Sequence, residues 1–145
     1  MKVKIQFDKR DEGGDYVLVS PQENLNDVCE DSECTELIAD DILGYFPGSQ
    51  VNTILHHWLK KIRMGGSIVI TGIDLSEVMR NIQGRSISLT EANILLYGNQ
   101  EKPHEFRASS VTGLELTKII KQMGFKIIKN SIENFKYIVK AERIK

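Results

Sequence analysis

Hydrophobic and polar positions alternate strictly at the start of the chain. Val3, Ile5 and Phe7 are separated by Lys2, Lys4, Gln6 and Asp8, the two-residue period of a strand with one buried face. DKRDEGG follows, and Tyr16-Val17-Leu18-Val19 reads as a second short strand that stops at Ser20-Pro21. The connector is shorter than a helical crossover, so the two strands form either a hairpin around Gly13-Gly14 or a parallel pair joined by an extended loop. Pro21 to Glu33 is polar and acidic, anchored at Leu25 and Val28, and is expected to be a surface segment carrying one short strand. Leu37-Ile38-Ala39 is the next buried strand candidate. It ends at the carboxylates Asp40 and Asp41, and Ile42, Leu43, Tyr45 and Phe46 then lead to a Pro47-Gly48 turn.

From there the period lengthens. Val51, Ile54, Leu55, Trp58, Leu59 and Ile62 form one stripe at helical spacing, with Ser49 as the expected N-cap. Lys60, Lys61 and Arg63 load its last turn with positive charge, which suits the helix dipole, and Gly65-Gly66 is the expected stop. Ser67 to Thr71 is a continuous β-branched run, predicting a central strand covered on both faces. Three capping boxes follow. Asp74 with Glu77, Ser88 with Glu91, and Thr112 with Glu115 each open a helix, the first ending near Gly84, the second at Gly98 and the third at Gly124. Asn99 to Ala108 is a polar loop. Phe125–Lys129 and Phe135–Ala141 are two strands whose short connection demands antiparallel pairing.

Composition adds bounds. The 145 residues fit one domain spanning 1–145, and 41% hydrophobic and 27% charged content suits a folded globular chain. A formal net charge of −1 supplies no overall field for polyanions, so nucleic acid is not the expected partner. The local basic group Lys60, Lys61, Arg63 and Arg80 is read as a solvated helix end. No apolar run reaches membrane-spanning length, which makes the cytoplasm the expected setting. Cys29 and Cys34 lack zinc-site spacing and His56 and His57 flank a core stripe, so no metal is expected.

Taken in order, KKIRMGGSIVITGIDL, the preceding DDILGYF with its helix, and LLYGNQ…PHEF…TGLELTKIIKQMGF resemble the corresponding stretches of class I S-adenosylmethionine-dependent methyltransferases, over about Cys34 to Lys145. The resemblance implies a Rossmann-like α/β fold: a mostly parallel sheet with a C-terminal antiparallel hairpin, in three α/β/α layers. In that family a Gly-rich loop follows the first strand and an acidic residue ends the second. Here the loop positions are Gln6, Phe7 and Asp8, Ser20 stands in place of the acid, and Gly44 and Tyr45 replace Glu and His. The resemblance and its gaps support three readings. In order of preference they are a non-catalytic, degenerate methyltransferase-fold module acting through a protein partner or self-association, an active methyltransferase with a non-standard S-adenosylmethionine pocket, and a different α/β binding protein. If the chain is active, Asp8, Ser20, Asp40 and Asp41 are the expected cofactor-binding residues, with Gly72 and Asp74 at the rim and His104 as the general base, by analogy with similar sequences.

Overall fold

A computed structural model describes residues 1–7, 14–102 and 105–145. Its centre is a six-stranded sheet in the order β2-β1-β3-β4-β6-β5. The strands are β1 (Lys2–Ile5), β2 (Tyr16–Val19), β3 (Cys34–Asp40), β4 (Ile62–Ile73), β5 (Phe125–Glu133) and β6 (Lys136–Arg143). β1 pairs in parallel with both β2 and β3, and β3 with β4, so the hairpin alternative for the first two strands is excluded. β6 runs antiparallel to β4 and to β5. The final hairpin turns at Asn134 and Phe135, whose φ values of 50° and 67° carry both strands further into the turn than the sequence suggests.

Four helices accompany the sheet: α1 (Gly48–Lys61), α2 (Leu75–Gln83), α3 (Leu89–Tyr97) and α4 (Gly113–Gln122). The capping predictions for the last three hold. Asp74, Ser88 and Thr112 accept from the backbone N–H of Glu77, Glu91 and Glu115 respectively. The expectation for α1 does not: Pro47 occupies the cap position, Gly48 opens the helix, and no side chain caps it. Gly65-Gly66 also has a different task. α1 passes directly into β4 at Ile62, and residues 63–66 form a bulge where the register slips between Cys34↔Ile62 and Glu36↔Ser67. A Cβ on Gly66 would lie 2.9 Å from the Cys34 carbonyl oxygen, so the bulge closes onto β3 only with glycine there.

Residues 21–33 hold a short 3-10 turn at Leu25–Asp27 in place of the expected strand, with Leu25 and Cys29 buried. Lys61 ties this segment down. Its ammonium is buried and donates to Asn26 Oδ1 at 2.6 Å and the Cys29 carbonyl at 3.2 Å, and it pairs with Asp31 at 2.9 Å. A residue expected in solvent is thus an internal tether, while Lys60, Arg63 and Arg80 are exposed as expected. Cys29 and Cys34 are buried free thiols with sulfurs 3.4 Å apart.

One face of the sheet is the core. Val3, Ile5, Leu37, Ala39, Ile68, Ile70, Val139 and Ala141 pack with Leu55, Leu59, Leu116 and Ile120 of α1 and α4. The opposite face carries Lys2, Lys4, Glu36, Ile38, Val69, Thr71, Lys140 and Glu142, none of them buried. The central strand is therefore covered on one side, and the described residues form two of the three layers expected. The reason lies in the connections: Leu25 and Cys29, between β2 and β3, join the same core as α1 and supply nothing to the second face. No helix among the described residues is long and apolar enough to cross a membrane.

Candidate functional site

Open α/β sheets bind ligands outside the carboxyl ends of their parallel strands, where the strand order reverses. The order β2-β1-β3-β4 puts that point between β1 and β3, beyond Ile5 and Asp40. The chain's own side chains meet there. Phe7 sets its ring edge-on to Tyr45, with centroids 4.8 Å apart and planes at 81°. Arg107, from the loop before α4, lies over the Tyr45 ring at 4.8 Å. The same guanidinium donates to both oxygens of Asp41, at 2.8 and 2.5 Å. These two side chains are only 10% and 17% exposed, so this is a desolvated, bidentate pair. Burial opposes the charged Arg107, but the hydrogen bonds and charge of Asp41 outweigh it and raise the guanidinium's pKa. Burial is also the main cause of the raised pKa of the Tyr45 phenol, with Arg107 opposing it.

Local backbone makes this arrangement possible. A Cβ on residue 44 would lie 3.2 Å from Arg107 Nη1, so Gly44 leaves room for the guanidinium. The Gly44 carbonyl accepts from the N–H groups of Ala108 and Ser109, fixing the loop that delivers Arg107. Asp41 has φ of 57°, and its N–H donates to both the carbonyl and the hydroxyl oxygen of Thr71 at 3.0 Å. Thr71 in turn donates its hydroxyl proton to Asp40 Oδ1 at 2.5 Å. Lys136 Nζ stands 3.9 Å from Asp41 Oδ2.

Of the site residues expected from sequence, Asp40 and Asp41 are brought together at the end of β3. Ser20 ends β2, on the far side of β1, and its N–H and carbonyl both engage Glu23 in a turn. Asp8 and His104 lie outside the described residues. Gly72 and Asp74 serve structure: a Cβ on Gly72 would meet the Tyr137 hydroxyl at 2.5 Å, and Asp74 caps α2 while accepting from the Gly113 N–H at 3.0 Å. Arg107 is the residue that sequence reasoning missed. It sits 66 positions from Asp41, and the bare backbone of Gly44 beside Tyr45 is the one local sign of it. Among the described residues no group of carboxylates, histidines and cysteines is arranged to hold a metal.

No protein-family model matches the sequence, and no curated protein does. Solved structures do match. A SAM-dependent methyltransferase from Methanosarcina mazei superposes with TM-score 0.65 at 13% identity, over 98% of this chain and 81% of that one. An O-methyltransferase family protein from Burkholderia thailandensis gives TM-score 0.59 at 13% identity, over 90% of this chain and 36% of that one. A chain from the complex between the Haloferax volcanii Trm112 methyltransferase activator and a methyltransferase gives 0.56 at 7% identity, covering 90% and 61%. The chain therefore spans about a third of the Burkholderia protein and about three fifths of the Haloferax one. These likenesses establish the fold as that of class I S-adenosylmethionine-dependent methyltransferases.

Proposed function

We propose that this chain is a methyltransferase-fold protein whose cofactor site has been closed by its own side chains, and that it works in the cytoplasm as a non-catalytic binding or assembly module. The observation that carries the reading is the Phe7–Tyr45–Arg107–Asp41 column at the switch point. A nucleoside cofactor needs close backbone approach after the first strand and a bidentate acceptor at the end of the second. Gln6 and Phe7 deny the first, and the Gln6 N–H is already engaged by the Val19 carbonyl at 3.0 Å. Ser20 offers one hydroxyl in place of a carboxylate. Parting Phe7 from Tyr45 and Arg107 from Asp41 would cost about 3–6 kcal/mol, a penalty of roughly 10²–10⁴ on affinity. The residues present do not fit S-adenosylmethionine.

An active enzyme with a non-standard pocket remains the competing reading, supported by a cleft beside the column whose walls include Asp41, Tyr45, Ile73, Leu95 and Arg107. Partnership has a precedent of fold alone in the Haloferax complex, where the activator accompanies a methyltransferase. A thermal-shift titration separates the readings. At about 1 mM ligand, a ~10 µM site would stabilise the fold by about 2.7 kcal/mol and raise the midpoint by several degrees. The closed-site reading predicts no shift with S-adenosylmethionine or S-adenosylhomocysteine; a saturable shift would sink it.

A further inference from the structure

We infer that the outer surface of the α2–α3 pair is the face through which two copies of this chain associate. This rests on the assembly half of the function proposed above and names its partner. α2 and α3 belong to a satellite core with only three buried hydrophobic residues, Ile73, Val78 and Ala92. Their outward sides carry large exposed apolar side chains. Met79 is 51% exposed, Ile82 38%, Leu89 76%, Ile94 46% and Tyr97 53%, and Phe106, tied to Tyr97 through the adjoining Arg107 N–H, is 51% exposed. α3 is apolar around most of its circumference, a pattern that belongs to buried helices, yet its outer stripe faces solvent in the single chain.

Charge selects a second copy as the occupant. The only charged residue of α3, Glu91, is engaged in the Ser88 capping box, and the exposed Arg80 is paired with Glu77, so two such surfaces meet without repulsion. The open face of the sheet is the other candidate for self-contact. It brings together Lys2, Lys4, Lys126, Lys129, Lys136 and Lys140 with Glu36, Asp40, Glu133 and Glu142, and this excess of lysine would oppose itself across a twofold axis. Size agrees as well. Six half-exposed large side chains present about 600 Å² of apolar surface, and standard interfaces contribute about 800 Å² per partner of which some 60% is apolar.

Sedimentation equilibrium on the full chain over a concentration series tests this. The expected mass is twice the 16.5 kDa of one chain. Leu89→Glu, at the first turn of α3 where a carboxylate suits the helix dipole, and Ile94→Lys, one turn from Glu91, should each weaken the dimer by at least ~100-fold while leaving the far-ultraviolet spectrum and melting temperature intact. Val69→Lys, on the open sheet face, should leave the dimer unchanged. A wild-type chain that stays monomeric, a dimer that survives both α3 variants, or one that dissolves with Val69→Lys would each overturn the inference. A monomer that still ignores S-adenosylmethionine would overturn this inference alone, whereas a dimer that binds it would overturn the closed-site reading alone.

Discussion

Arg107 shows how much one side chain can decide. Its guanidinium holds Asp41 in two hydrogen bonds and covers Tyr45, with little water to screen either contact. Arg107→Ala strands the Asp41 carboxylate and should cost about 2–4 kcal/mol in urea unfolding, whereas Arg107→Lys should recover part of that, since it keeps the charge but loses the planar fork. Asp74 gives a second residue-scale test. Burial favours its neutral form, but hydrogen bonds from Gly113 N–H, the Ser76 hydroxyl and Glu77 N–H outweigh burial and hold its carboxyl below the ordinary value. A folded pKa lowered in this way adds stability above about pH 4 that is lost as pH falls through the folded value. Stability measured down an acid series should therefore decline below about pH 4, and Asp74→Asn should flatten that decline. Asp74 was legible because its function is local, three residues from its partner Glu77; the Arg107–Asp41 pair was not, because only the tertiary fold brings them together.

At the scale of elements, the sequence speaks where hydrogen bonds are short-range. Removing a side-chain cap typically costs about 1 kcal/mol, so Ser88→Ala and Thr112→Ala should each do so, while Ser49→Ala should be within ~0.5 kcal/mol of neutral because α1 uses no side-chain cap. Gly65-Gly66 resembled a helix stop because a bulge and a stop both call for glycine. Their difference appears only when β3 is placed alongside: Gly66→Ala drives a methyl group into the Cys34 carbonyl, which should destabilise by more than the ~1 kcal/mol of a simple helix-stop change. Cys34 is a buried free thiol, and its surroundings make it inert. Burial, with Cys29 as hydrogen-bond partner, pushes its thiol up to about 12. Neither thiol should react with a disulfide reagent at pH 8 until the chain is unfolded, and rapid native-state labelling would contradict this.

Across the described residues the molecule is a methyltransferase-type sheet with helices over one face, a lysine-rich second face open to solvent, and an apolar helix pair at one side. The pairing of β1 with β2 stood open between hairpin and parallel, whereas the C-terminal hairpin was legible because its short connection allowed nothing else. The missing layer was not, since Ile38, Val69 and Ile138 look like core residues until the flanking lysines of neighbouring strands are seen to share their face. The central claim is that the switch point is closed from within by Phe7, Tyr45, Arg107 and Asp41. Its most direct test is isothermal titration of the wild-type chain with S-adenosylhomocysteine. The closed column predicts no saturable heat up to about 0.1 mM, since even a 10 µM site would be weakened to about 1 mM or beyond by a penalty of roughly 10² or more. Saturable binding in the micromolar range, with one site per chain, would contradict the account.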